Sequence, residues 1–346
     1  SIGPAKRSVI EHHEDCLCSG TMQEMGVPSA PPSALSSLFA SIHDESSIEA
    51  RMDASLTDVV DAVMGSMHAS SQRNKPSVQG LLHGFPQADR RESVAWIVQA
   101  FDVMGFTDSA IFQATLLLDR YYARRTPGPI SAADAQQKLL AVVCLALKVG
   151  SRDEAQVPLQ QLVGHLGRGK VRYSAVVGAE VEMLGKLKFS IGTPTAHDFL
   201  ETLSTRLMHH DQLCASLAEY LLQLTLIDPV LHYGYPHAVL AAAALALALT
   251  TLKAPAAAFT PLFEDLALHC PVAEVGADMT TPCCQDIYQL WVQSKITPCS
   301  FAQHLCAKFS HARYHAVASV APPLLPPSVL PPMQATHAAD PRIGGA

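Results

Sequence analysis

Three charged side chains stand where a helix needs apolar ones. In the run LLLDRYY, Leu116 to Tyr122, Asp119 interrupts a stretch suited to a core. Further on, Tyr173, Val177, Glu180, Leu184 and Leu187 are spaced 4, 3, 4 and 3 residues apart. That spacing makes one helical face, with Glu180 in the middle of an apolar seam. In LLAVVCLALK, Lys148 follows Ala141, Cys144 and Leu145 on one face. A carboxylate buried alone is costly, so Glu180 requires an internal cation or donor, or a seam that is only half buried. Lys148 closes its helix, where the macrodipole favours a cation by ~0.3–1 kcal/mol, and its stem can reach to solvent. Asp119 has a candidate partner in Arg90. The helices carrying them are joined by a short GFT turn and should pack antiparallel, so the start of one meets the end of the other. We read Arg90 and Asp119 as a clamp that fixes helix register, not as catalysts.

Other chemistry-bearing residues form no constellation. HHEDCLC, His12 to Cys18, gathers soft ligands. Structural zinc sites, however, take ligands from two separated knuckles, and the clear continuation, Cys283–Cys284, belongs to another domain. His209-His210-Asp211 reads as a loop and helix cap. There is no Gly-rich phosphate loop and no G-x-S-x-G elbow, and none of the 16 histidines sits in a nucleophile arrangement. We therefore assign no catalytic residue, no metal and no cofactor, and expect a protein that is not an enzyme.

Composition sets the frame. The chain has 346 residues, 49% of them apolar and 16% charged. That suits a folded, core-rich protein of about two domains. The net charge of −7 and the lack of a basic run argue against nucleic acid as a partner. The 9 cysteines, an odd number, lie among apolar residues, as reduced thiols do in the cytosol or nucleus. The longest apolar run, Ala238 to Leu252, is 15 residues, short of the ~20 that span a bilayer, so no membrane association is expected. The start, SIGPAKRSV, lacks a signal-peptide core and an initiator Met, so the chain is read as processed or as a fragment.

The elements that must position these residues are helical. Val94, Ile97, Val98, Phe101 and Met104 define a first helix ending at Gly105. A second runs from Thr107 or Asp108 to about Arg124. A third runs from its Ser131 cap to Lys148–Val149. A shorter one follows Pro158, and a fifth covers Arg172 to Lys188. After the linker IGTPT, helices are expected at 195–208, 211–227, 235–252, 258–268 and 282–297. The fold class is all-α: two tandem five-helix bundles, at 76–193 and 194–308. Residues 1–75 read as a mostly disordered arm with short helices near Ser55–Met67. Residues 309–346 read as a Pro-rich disordered tail containing APPLLPPSVLPPM.

With those residues in hand the chain resembles a cyclin, most like the D-type cyclins of plants. The run RRESVAWIVQAFDVMGF … LLLDRYY … QQKLLAVVCLALK … AEVEMLGKLKFSIGTPTAHDFL is similar to the first cyclin box. LAEYLLQLTLID … YGYPHAVLAAAALALAL is similar to the second. The resemblance covers roughly residues 77 to 300 and implies two five-helix cyclin boxes. It also implies roles. Arg90 and Asp119 match an internal ion pair, and Lys148 and Glu180 match the residues that grip a cyclin-dependent kinase. Val149, Leu184, Phe189 and Ile191 match apolar positions that pack on the kinase's mobile helix. The implied function is a regulatory subunit that binds and activates a cyclin-dependent Ser/Thr kinase in cell-cycle control. It would act as a heterodimer in nucleus and cytoplasm, with kinase substrates or inhibitors as further partners. The alternatives are a transcription-associated or non-cycling cyclin, or a cyclin-box scaffold in transcription. The acidic balance disfavours the scaffold, which needs a basic face.

The chain departs from the family pattern at several points. Lys148 is followed by VGSRDE, which displaces Asp153 and Glu154. The family's substrate-docking patch keeps Trp96 and Gln136. Its apolar positions, however, hold Asp89 and Ser93, and its usual acid is Gln99, which should weaken docking of Leu-containing motifs. The Leu-x-Cys-x-Glu motif is missing from CLCSG, and the arm has no Arg-x-x-Leu motif.

Overall fold

A computed structural model describes residues 62–126, 128–150, 156–207, 212–253 and 277–324. The described residues are helical, without strands. Helix α1 covers 62–74, and α2 is Val78–Gly84. The first bundle follows: α3 Gln87–Met104, α4 Asp108–Tyr122, α5 Ala132–Val149, α6 Leu159–Leu166 and α7 Tyr173–Leu187. The second holds α8 Ala196–Leu207, α9 Gln212–Thr225, α10 Pro229–Gly234, α11 His237–Thr251, α12 Ala277–Ile296 and α13 Ser300–Phe309.

Each bundle is organised round one central helix. In α4, 13 of the 15 residues are buried, because α3, α5 and α7 all pack on it. In α11, 13 of the 15 are also buried. Alanine and leucine favour the helix, and the alanine methyls let α8, α9 and α12 approach closely. The local start and stop signals act as the sequence leads one to expect. Ser131 Oγ accepts from the Asp134 amide at 3.1 Å at the head of α5. Gly105, in the left-handed region at φ 71°, closes α3.

Several elements extend beyond the expected boundaries. Residues 62–74 form a helix with Met64 and Ser71 buried, where the sequence suggests part of an arm. Helix α12 begins five residues before Pro282, which lies inside it. Helix α13 and the 3-10 turns Ala312–Tyr314 and Val317–Ser319 continue the body past 308, with Val317 and Ala318 buried. The helix expected at 258–268 lies outside the described residues, as do His12–Cys18 and His209–Asp211.

Buried polar contacts join the bundles. Lys308 of α13 pairs with Asp108 of α4 and donates to Gln223 Oε1 at 3.0 Å. Tyr314 donates to Asp108 Oδ2 at 2.9 Å. The end of helix α1 and the residue after it bridge both sides: Asn74 accepts from Arg120 and Ser190, and Lys75 donates to the Tyr235 carbonyl at 2.8 Å.

The α1 seat also predicts a pH effect. His237 is buried, and its Nδ1 lies 3.2 Å from Ser71 Oγ and 3.3 Å from the Pro194 carbonyl. Its Nε2 meets no partner among the described residues. Burial, aided by the charge of Lys75, lowers its pKa to about 4. Burial also lowers His232 and His68. The unfolded chain therefore binds more protons than the folded one below pH 6.5, and folding stability falls as pH drops from 6.5 towards 4. His237 alone accounts for about 3 kcal/mol over that window. His197 opposes part of this: burial lowers it, but Glu219 outweighs burial and raises it. Urea midpoints at pH 7 and pH 5 should differ clearly for the native chain and less for His237→Gln.

Candidate partner-binding site

Lys148 and Glu180 meet. The Lys148 ammonium, in the last turn of α5, donates to Glu180 Oε1 at 2.7 Å and to Oε2 at 2.8 Å. The two ends of the pair differ in exposure. The Lys148 side chain is 41% exposed and that of Glu180 6%. An ammonium has three donors, so one remains after the carboxylate is satisfied. Glu180 is thus a buried acid with an internal cation, one of the possibilities its seam allowed, and the cation is at the surface.

The apolar residues singled out with the pair surround the exit of α7. Leu184 lies one turn beyond Glu180 and is half buried. The helix then closes through two consecutive left-handed residues, Lys188 at φ 53° and Phe189 at φ 58°. The Phe189 amide donates back to the Leu184 carbonyl at 2.9 Å, which ends the helix in a Schellman turn. A non-glycine residue held there costs roughly 1–2 kcal/mol, yet the Phe189 ring it carries is 74% exposed. Val181, at 65%, adds to the exposed apolar ground on α7. Ile191 is half buried, and Val149 lies close to the linker: a Cβ on Gly192 would sit 3.7 Å from Val149 Cγ1.

Two residues that positioned nothing in the sequence reading hold this linker. Gln113 of α4 donates to the Ile191 carbonyl. Arg120, buried, donates to the Ser190 carbonyl at 2.7 Å and to Thr193 Oγ1 at 3.0 Å. Burial, with Arg124 nearby, lowers the Arg120 pKa to about 10, which still leaves it charged at neutral pH. Both sit inside the apolar run of α4, and the only hint in the sequence is that polar residues occur there at all. Beside Val149 opens a cleft of 320 Å³ reaching Met67, Gly192 and Pro194.

Arg90 and Asp119 also meet, fully buried. Arg90 Nε and Nη2 donate to the two carboxylate oxygens at 2.9 and 2.8 Å. The pair reaches further than two helices of one bundle. Arg90 Nη1 donates to the Leu226 carbonyl at 2.9 Å, and Tyr233 donates to Asp119 Oδ2 at 2.7 Å. Burial, together with the Asp119 charge, drives the Tyr233 pKa well above its usual value. Trp96 and Gln136 line one cleft between α3 and α5. Asp153 and Glu154 lie outside the described residues. Among the described residues no cluster of His, Cys, Asp and Glu could hold a metal, and no helix is long and apolar enough to cross a membrane.

Comparison with known families places the two bundles. The family model for the cyclin N-terminal domain covers residues 63–192, and that for the cyclin C-terminal domain covers 194–323. The chain belongs to the cyclin family. It is 24% identical to a G2/mitotic-specific cyclin-A of Patella vulgata over 73% of this chain and 55% of the relative. It is 28% identical to cyclin-D5-1 of Oryza sativa subsp. japonica over 35% of this chain and 33% of that one. The chain thus spans about half the length, or less, of these curated relatives. Among solved structures, a viral cyclin from herpesvirus saimiri superposes with a TM-score of 0.50 at 17% identity, over 64% of this chain and 89% of that chain. The cyclin match begins within α1 and ends after the second 3-10 turn. Both therefore belong with the cyclin body.

Proposed function

We propose that this cyclin is the regulatory subunit of a cyclin-dependent Ser/Thr kinase, active in cell division, and that it binds the kinase through Lys148, Glu180, Val149, Leu184, Phe189 and Ile191. One observation carries the proposal. A strained turn presents an exposed phenylalanine next to the helix whose buried acid tethers a surface lysine. Strain of this kind persists where the surrounding structure holds it, and it clusters at functional sites. The free donor of Lys148 suits a main-chain carbonyl of the partner, and the apolar residues suit the side of a helix. A kinase active site requires its Lys–Glu pair assembled. A subunit that binds only the assembled arrangement shifts the kinase population towards it. The likeness to a mitotic cyclin supports the cell-division setting. Trp96 and Gln136 would then serve as a docking patch for kinase substrates or inhibitors.

Phe189→Gly tests the proposal cleanly. Glycine adopts the left-handed region without penalty, so the variant should unfold at the same temperature as the native chain or higher. Removing a large apolar side chain from an interface costs about 1.5–3 kcal/mol, so kinase capture should weaken at least tenfold. Activation of an added kinase towards a peptide substrate should fall in step. Unchanged capture would overturn the assignment of this surface.

A further inference from the structure

One cleft of the first bundle is lined by charge of a single sign. It has a volume of 420 Å³ and lies between the first turns of α5 and the segment that leads from α6 into α7. Its polar lining is Gln136, Gln137, Lys170, Arg172 and Ser174, each able to donate a hydrogen bond and none a carboxylate. None of the five side chains has a hydrogen bond or ion pair among the described residues. Lys170, Arg172 and Ser174 are exposed. A third cation, Arg168, is exposed two residues before Lys170, in the left-handed region at φ 49°. Three positive charges thus fall within five residues of a chain whose net charge is −7. The acids nearby do not neutralise them. Asp134, beside the cleft on α5, lies 3.4 Å from the buried Lys138, and α7 opens with no acidic residue in its first turn.

From this cluster of unpaired cations at a cleft without carboxylates we infer that the chain binds a phosphorylated protein segment there, its phosphoryl group held by Lys170 and Arg172. The inference goes beyond the kinase-binding reading and does not depend on it. A phosphoserine carries close to two negative charges and three acceptor oxygens at neutral pH. Arg172 can take two of those oxygens at once, and Lys170 the third. Gln137 and Ser174 supply neutral donors for carbonyls of the segment. A glutamate brings one charge and two oxygens, so it leaves a donor of the cleft unanswered. Arg168 does not line the cleft but adds to the positive potential within a Debye length of it. Nucleic acid fits less well. Its repeated phosphates need a basic groove that tracks the strand, whereas these cations are confined to one short segment of an acidic chain. A phosphorylated segment is the product of a protein kinase, so the site selects proteins that have already been phosphorylated.

The test uses the full chain without kinase, so its outcome is separate from that of kinase capture. Fluorescent decapeptide pools carry a fixed phosphoserine, glutamate or serine at the centre and mixed neutral residues elsewhere, and binding is read by anisotropy. The native chain should bind the phosphoserine pool about tenfold more tightly than the other two, the scale of one charge-assisted contact. Added salt should weaken that preference, and inorganic phosphate should displace the phosphoserine pool. Lys170→Ala/Arg172→Ala should erase the preference without moving the unfolding temperature, because both side chains are exposed and unpaired. Lys170→Gln/Arg172→Gln, which keeps donors but removes the charges, should do the same. Arg168→Ala should weaken binding less than either double variant. Equal binding of the phosphoserine and serine pools, or a preference that survives both double variants, would overturn the inference. Equal binding of the phosphoserine and glutamate pools would overturn the phosphate selectivity. Tighter binding of a labelled oligothymidine than of the phosphoserine pool would reassign the cations to nucleic acid.

Discussion

Exchanging the charges, Lys148→Glu together with Glu180→Lys, should abolish kinase capture while leaving the fold intact. The ion pair is bidentate and only one end is exposed. The double variant keeps an acid opposite a base, so the internal pairing survives. What changes is the sign offered to the partner. Glutamate in the last turn of α5 works against the helix dipole at a cost of roughly 0.3–1 kcal/mol, a shift of only a few degrees in unfolding temperature. A partner carbonyl placed to accept from Lys148 would instead face a carboxylate. Losing such a charged contact at an interface costs about 2–5 kcal/mol, so the Kd should rise about thirtyfold or more. The single variant Lys148→Glu should behave differently, because it sets a second carboxylate against the buried Glu180 and lowers stability as well as binding. Isothermal calorimetry against the kinase and thermal unfolding of each variant separate the two effects. A double variant that binds like the native chain would show the pair to be purely internal.

Arg90→Ala should lower stability by about 3–5 kcal/mol, the cost of leaving a buried charge without its partner. For a body of this size that corresponds to a fall of roughly 10 °C in unfolding temperature. An isolated buried pair can often be replaced by apolar residues at little cost. Here the replacement Arg90→Met/Asp119→Leu should still destabilise. It orphans the Leu226 carbonyl and the Tyr233 hydroxyl, both buried in the second bundle's territory, and each unsatisfied group costs about 1–3 kcal/mol. Adding Tyr233→Phe to the pair of apolar substitutions should recover part of the loss. Full recovery by the two apolar substitutions alone would mean that the outer hydrogen bonds contribute nothing. Calorimetric unfolding of the four proteins distinguishes these outcomes.

The helices, their caps and the two-bundle plan follow from local chemistry. Ser131 caps its helix and Gly105 ends one because each acts on the few residues beside it, and apolar spacing marks the buried faces. Asp119 and Arg90 were legible as a pair because two antiparallel helices joined by a short turn leave their ends side by side. Lys148 and Glu180 were legible as misfits in apolar seams, but not as partners of each other: 32 residues separate them, and only the packing of α7 on α5 sets the Nζ at 2.7 Å from the carboxylate.

What the tertiary structure alone decided has a common cause. Arg120, Gln113 and Lys308 look like polar interruptions of helices, and their targets are the Ser190 and Ile191 carbonyls and Asp108. Those targets are 70, 78 and 200 residues away in sequence, and no periodicity encodes a partner at such distance. The burial of helix α1 was hidden for the same reason, since Met64, Ser71 and Asn74 gain their burial and hydrogen bonds only from both bundles at once. The sequence by itself determined which segments coil and which faces turn inward, because helix formation and burial are short-range. Where the exposed amine and the strained phenylalanine come to the surface was decided by the packing of helices remote in the chain.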